Sequence, residues 1–246
     1  MIPRKPLVTV FILVICLTAV TVPASAELFG DLFVGPAFTQ DDDLTLKGTA
    51  AGTVGIKPIR FDNAVSFGGR IGYWLESVPY VGFDLDVSHF RPDIKKGSVT
   101  ACVPIFFPSC APATVLSTDL QVTGISFDAM FRLPLLTSKE FPKGQLQPYL
   151  TVGPTVFVTH AEDSGNFTRN GLQFKQDDTN TTVGVKAGAG LAWQFHRNIA
   201  LFGEYRFTHV SPSFSLHDDF FGKFDEKTTL NTHRVVFGVS FRLPTP

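Results

Sequence analysis

The stretch Tyr80-Val81-Gly82-Phe83-Asp84-Leu85-Asp86-Val87-Ser88-His89 decides the fold. Val81, Phe83, Leu85 and Val87 share one parity; Gly82, Asp84, Asp86 and Ser88 share the other. A helix would scatter both sets around its circumference, whereas a strand gives each set its own face. The same period of two governs 181–195, where Val183, Val185, Ala187, Ala189, Leu191, Trp193 and Phe195 alternate with Gly184, Lys186, Gly188, Gly190 and Gln194. Outward from these two stretches, the pattern predicts eight strands: 28–39, 63–74, 80–91, 119–133, 148–160, 181–195, 199–211 and 228–243. Most exceed the usual ~5–6 residues of a globular strand. At about ten residues or more they match tilted strands that cross a bilayer. The fourth segment changes parity near Thr123-Gly124, which predicts a β-bulge there.

The connections alternate in length. Those at 40–62, 92–118, 161–180 and 212–227 are long and polar, those at 75–79 and 196–198 are short, and 134–147 is intermediate. Long external loops, short periplasmic turns and an even strand number predict an all-β fold, an eight-stranded antiparallel up-and-down transmembrane β-barrel. Composition agrees. Only 17% of the 246 residues are charged, against about a quarter in soluble domains. A net charge of −1 lacks the basic excess of a nucleic-acid binder. After residue 26 no apolar run reaches the roughly 18 residues of a membrane helix. The first 26 residues form a secretory signal peptide: Arg4 and Lys5, an apolar run over 7–20, then Ala24-Ser25-Ala26 as cleavage site. Ile15 before Cys16 does not fit a lipidation site. The expected organisation is a cleaved 1–26 followed by one barrel domain, 27–246. Cys102 and Cys110, an even pair in an exported chain, are expected to form a disulfide in the second external loop.

The faces separate a barrel from a sandwich. One carries many glycines together with Asp31, Arg70, Asp84, Asp86, Asp128, Arg132, Lys186, Glu204, Arg206, Arg234 and Arg242. Small residues suit a narrow lumen, and near-balanced charges suit mutual pairing, because a buried charge is costly unless paired. The expectation is a lumen plugged by a network of Asp84, Asp86, Asp128, Arg132, Lys186, Glu204, Arg206 and Arg234; the alternative is a set of solvated strand charges. The opposite face carries Phe38, Phe67, Ile71, Phe127, Phe131, Leu191, Trp193, Phe237 and Phe241 among others. Tyr73, Trp74, Tyr80, Tyr149 and Trp193 are expected to form an aromatic girdle at the short-turn rim.

Gly238-Val239-Ser240-Phe241-Arg242-Leu243 resembles the C-terminal β-signal of outer-membrane barrels, although Pro244-Thr245-Pro246 follow. With 200–207 and Leu230-Asn231-Thr232-His233, the chain resembles the small outer-membrane β-barrel domain family, akin to the barrel of outer membrane protein A and to opacity-type porin-family proteins. The resemblance covers 27–246. It implies a Gram-negative outer membrane, with outer-membrane lipids, lipopolysaccharide and the barrel assembly machinery as partners, and a monomer. It says little about activity, because a fold does not fix a function.

No phosphate loop is present, since Gly184 to Gly190 lie in a strand pattern with no helix after it. Six dispersed histidines lack zinc spacing. Neither a cofactor nor a metal is expected. Asp41-Asp42-Asp43, Asp177-Asp178 and Asp218-Asp219 read as solvated loop turns or as cation ligands. Glu204-Tyr205-Arg206-Phe207-Thr208-His209-Val210-Ser211 resembles the strand that carries the His-x-Ser pair of the lipid A 3-O-deacylases. That resemblance makes Ser211 a nucleophile and His209 its base, with Glu226 the nearest candidate for an orienting acid; Pro212 stands where the family has Asn. The leading expectation is a non-enzymatic barrel that serves envelope integrity or surface interaction. A lipid A deacylase-like enzyme and a small porin or hydrophobic-solute channel are the alternatives.

Overall fold

The structure, a computed structural model, describes residues 26–48, 52–94, 97–103, 109–115, 118–163, 177–218, 222–227 and 229–243. The expected signal peptide, Ala26 apart, lies outside the described residues. Fourteen strands follow in chain order: β1 (Ala26–Thr39), β2 (Asp42–Gly48), β3 (Gly52–Ile59), β4 (Ala64–Leu75), β5 (Val81–Phe90), β6 (Gly97–Val103), β7 (Ser109–Val115), β8 (Thr118–Arg132), β9 (Leu146–Asp163), β10 (Asp177–His196), β11 (Ile199–Val210), β12 (Ser213–Asp218), β13 (Gly222–Lys227) and β14 (Leu230–Leu243). Among the described residues there is no helix.

Eight of these strands close on themselves in the order β1-β14-β11-β10-β9-β8-β5-β4, every neighbour antiparallel. They correspond to the eight expected segments. Closure follows from the solvent: in hydrocarbon every backbone donor and acceptor needs a protein partner, and a free edge would leave a row of them unpaired. The first strand therefore pairs with the last, Leu28 opposite Leu243 and Val34 opposite Phe237. Alternation then sorts the side chains. Leu32, Phe67, Ile71, Phe127, Val183, Phe237 and Leu243 are exposed on the outer wall, while Asp86, Asp128, Arg206 and Val236 are fully buried.

Three expectations are corrected. The first concerns the bulge. Pairing runs unshifted through Thr123 and Gly124, with His89 and Ser88 on one side and Val158 and Phe157 on the other. The parity change has another cause. Leu120 and Val122 keep the inward parity of Ser126 and Asp128 and are buried in an apolar cluster at the long-loop end of the lumen. A real register shift occurs elsewhere, at Gln194/His196 beside the short β10–β11 turn.

The second correction concerns the long connections, which are not purely irregular. Those after β1, β5 and β11 contain the six strands of a second antiparallel sheet, ordered β12-β13-β2-β3-β6-β7. The fourth is the continuation of the β9–β10 hairpin, in which Asp177 pairs with Glu162.

The third concerns the girdle. Tyr80 (54% exposed) and Trp193 (49%) face outward, but Trp74 (4%) and Tyr149 (6%) lie inside the lumen. Trp74 shares the parity of Arg70 and Gly72, and Tyr149 that of Thr151 and Thr155.

The wall fixes a topology that labelling can test. In a cysteine-free background (Cys16, Cys102 and Cys110 replaced by Ser), Arg60→Cys on the long-loop side is expected to react with an impermeant maleimide on whole cells. Thr137→Cys in the β8–β9 turn is expected to react only after permeabilisation. The opposite pattern contradicts the orientation.

Candidate functional site

All eleven charges assigned to the polar face are buried inside the barrel. The sequence places them there by parity alone, and eight strands enclose only enough space for side chains. Among the described residues ten of them have an opposite charge within ion-pair distance, and Arg234 rests on serine hydroxyls. The structure resolves them into three levels.

The middle level is the densest. Arg70 bridges Asp31 (Nε to Oδ2, 2.6 Å) and Glu204 (Nη1 to Oε2, 2.9 Å). Arg206 binds Glu204 through Nε at 2.8 Å and Asp86 through Nη1 at 2.9 Å. Lys186 closes the circuit with Asp86 at 3.2 Å and with Asp128. Asp84, opposite Asp128 in the β5–β8 ladder, has Arg70 at 3.9 Å. The Tyr149 hydroxyl donates to Glu204 at 2.7 Å. Glu204 thus receives two guanidinium groups and a phenol, which is how a carboxylate survives without water.

The second level lies at the short-turn end. Arg132 reaches Glu27 at 2.7 Å, Arg242 reaches Glu27 at 3.3 Å and Gln147 at 2.8 Å, and Lys143 covers Glu27 from the β8–β9 turn at 3.4 Å. Arg132 therefore belongs to a separate cluster, not to the network in which the sequence reading placed it. The third level is Arg234, beneath the apolar cap. It donates to Ser88 at 2.9 Å and Ser66 at 3.4 Å, with Phe90 5.2 Å from its guanidinium. Glu27 precedes the first strand that the sequence pattern predicts, and parity marks Asp31, Arg70 and Arg242 only as members of the polar face. Their parity is legible in the sequence; their partners, which depend on strand pairing and register, are not.

The lumen is not filled by small residues alone. Phe33 stacks 3.9 Å from the Arg206 guanidinium, Trp74 4.3 Å from Arg132, and Phe202 5.0 Å from Arg70. The glycines explain how such rings fit. A Cβ at Gly68 would stand 2.7 Å from the Phe33 ring, and one at Gly82 2.7 Å from Trp74. Each bare backbone position is the space a neighbouring ring fills. Above the charges, Ala37, Phe61, Phe90, Leu120, Val122, Phe157, Val210 and Leu230 form a buried apolar cap.

The other sequence candidates lie elsewhere. His209 and Ser211 are exposed on the outer wall at the long-loop end, the parity that the deacylase resemblance requires. His209 Nδ1 is 2.7 Å from Asn231 Oδ1, and Ser211 Oγ is 3.4 Å from Thr229 Oγ1, so each bonds across to the neighbouring strand or its flank. Glu226 belongs to the second sheet, opposite Phe214 on β12 and Leu46 on β2. Cys102 and Cys110 are direct partners in the β6–β7 hairpin. Among the described residues no group of three or more His, Cys, Asp or Glu converges as a metal site would require.

A closed wall, apolar outside and charged inside, defines a transmembrane barrel of the outer-membrane class. Residues 12–242 match the outer membrane protein beta-barrel domain family, to which the chain belongs, and this places it in the bacterial outer membrane. Among solved structures it is similar to the outer membrane protein OprG of Pseudomonas aeruginosa, with a TM-score of 0.58 and 10% identity over 89% of this chain and 96% of that one. Neisserial surface protein A has 14% identity and a TM-score of 0.48 over 89% and 97% of the two chains. The outer membrane protease OmpT of Escherichia coli has 7% identity and a TM-score of 0.42 over 88% and 97%. At these identities the likeness concerns the fold alone. No curated protein matches the sequence.

Removing one member of the middle level leaves its partners charged, buried and short of a counter-charge. Glu204→Gln is expected to lower the free energy of unfolding by about 3–5 kcal/mol in urea titrations of the reconstituted barrel. Ser211→Ala, on the exposed wall, is expected to leave the midpoint unmoved. Equal effects from the two would contradict the pairing.

Proposed function

We propose that the protein is a non-enzymatic outer-membrane barrel whose lumen is plugged by its own side chains, serving envelope integrity or surface interaction through its external loops. The observation that carries this reading is the interior itself. The cavity between the middle and lower charge levels, lined by Asp31, Arg70, Trp74, Arg132, Tyr149 and Arg242 among others, measures about 20 Å³. That is room for about one water molecule. A pore needs a continuous wet path, and the ion pairs and the apolar cap support the reading that this lumen has none. The loops, in contrast, are built up into a six-stranded sheet. That is a large investment of chain on the side facing away from the periplasm, and it supports a role at the surface. Outer-membrane lipids, including lipopolysaccharide, are the proposed surroundings, the barrel assembly machinery the proposed route of insertion, and a monomer the proposed state.

The hydrolase reading is disfavoured by what orients the imidazole. A Ser–His pair needs the two groups within hydrogen-bond reach and a third group to hold the ring. Here Nδ1 of His209 meets the neutral amide of Asn231, and the Ser211 hydroxyl meets Thr229. Lipid A from cells expressing the protein is expected to have the same mass whether residue 211 is Ser or Ala. Loss of one acyl chain that requires Ser211 would make the protein an esterase. In planar bilayers the purified protein is expected to show no stable large conductance; a steady open channel would reject the plug.

The proposed Cys102–Cys110 disulfide is supported by register. Directly opposed residues of an antiparallel pair have Cα atoms about 4.5–5.5 Å apart, within the span of a disulfide. The loop it closes is short, so its contribution is about 2–3 kcal/mol by the chain-entropy model. Protein prepared without reductant is expected to show no reactive thiol at either position; two free thiols would refute the bond.

A further inference from the structure

The outer wall across β4, β1, β14 and β11 carries two adjoining features. The first is an open apolar groove lined by Leu32, Val34, Phe67, Phe237 and Val239, with Phe33, Gly68 and Gly238 at its base. The second lies further along the same strands toward the long loops, where the outward parity turns polar. The Tyr205 hydroxyl is 2.5 Å from His233 Nδ1, and the Gln40 side-chain amide is 2.8 Å from His233 Nε2. His209 and Asn231 sit beside them, 2.7 Å apart, and the Phe207 ring lies 5.1 Å from His233. All five polar residues hold the outward parity of β1, β11 and β14, and Gln40, Tyr205 and His209 are exposed.

Polar groups on a lipid-facing wall are costly unless something polar meets them. The cluster retains unused capacity. His209 Nε2, the second amide atom of Gln40 and the amide nitrogen of Asn231 have no bond among the described residues. None of the five residues is a carboxylate; Asp41 follows Gln40 in the chain, where its Oδ1 accepts from the Phe61 amide at 3.4 Å. From Val34 in the groove to Gln40 at the cluster is six residues, about 20 Å of strand at ~3.3 Å each. One molecule that fills both features has an acyl chain and, at the depth of the outer headgroups, a head rich in hydroxyls and phosphate.

We infer that this wall is a binding site for an acylated, phosphorylated sugar lipid of the outer leaflet, its acyl chain in the groove and its head on Gln40, Tyr205, His209, Asn231 and His233. The inference rests on the orientation with the long loops outside and on lipids as partners. It does not depend on the plug, so an open channel in bilayers would leave it standing.

The test is retention of added lipid by the purified full-length protein in detergent micelles, read by native mass spectrometry. The probes are lipid A, dephosphorylated lipid A and phosphatidylglycerol. Heat-modifiable gel mobility confirms the fold of every variant. The expected order of retention is lipid A, then dephosphorylated lipid A, then phosphatidylglycerol. The H209A/H233A double variant is expected to lose lipid A about tenfold or more, the equivalent of one or two lost hydrogen bonds, while its phosphatidylglycerol retention is unchanged. Phe67→Ala with Phe237→Ala, which removes the groove walls, is expected to weaken all three lipids alike. Equal retention of lipid A and phosphatidylglycerol by the wild type, or undiminished lipid A on H209A/H233A, overturns the site.

Discussion

Eight strands are the constraint on which the rest depends. A wall of that circumference encloses a column no wider than the side chains that fill it. Every inward residue is therefore packed against residues from across the barrel, and every outward residue meets lipid. Glycines concentrate on the inward parity because rings such as Phe33 and Trp74 need the space. Phenylalanine and the branched aliphatics dominate outside because hydrocarbon accepts little else. Both compositions follow from one number, the strand count.

The same narrowness dictates the electrostatics. Charges that enter the lumen are buried, and a buried charge is costly unless paired, so most of them form circuits. The Asp31–Arg70–Glu204–Arg206–Asp86–Lys186–Asp128 chain is such a circuit, with contributions from six of the eight wall strands. A separate set, Glu27 with Arg132 and Arg242, closes the short-turn end and ties β1 to β8 and β14. Arg234 sits between the circuit and the apolar cap on two serines. Asp31–Arg70 lies within the β1–β4 pair and Glu204–Arg206 within β11, but the links from Arg70 to Glu204 and from Arg206 to Asp86 join opposite ends of the chain, so the complete network forms only when the barrel has closed. Charge pairing is thus expected to add to the specificity of closure as well as to occupy the lumen.

How far the sequence is legible depends on which side of this constraint a feature lies. Period-two alternation identifies all eight wall strands and the inward charges, because parity is local. It fails where the lumen stops being polar. Leu120 and Val122 resemble outward residues, and only the apolar cap of Phe61, Phe90 and Phe157 explains their direction. Trp74 and Tyr149 mislead in the opposite sense: aromatic rings near a rim suggest a girdle, but their parity with Arg70 and Thr151 puts them inside. Ion-pair partners are set by strand order and register across the barrel, which no local pattern encodes. The second sheet is hidden for a related reason, since its strands are short and pair between loops that are remote in sequence.

The central claim is that the lumen charges are paired with one another and close the interior. A double-mutant cycle on Asp86→Asn and Lys186→Met tests it most directly, read as urea unfolding of the reconstituted barrel. If the two groups solvate each other, each single change removes their mutual attraction and the double change loses less than the sum. The account predicts a coupling of about 1–3 kcal/mol between them. Strictly additive losses would mean that each charge is stabilised by something other than its partner, and would contradict the account.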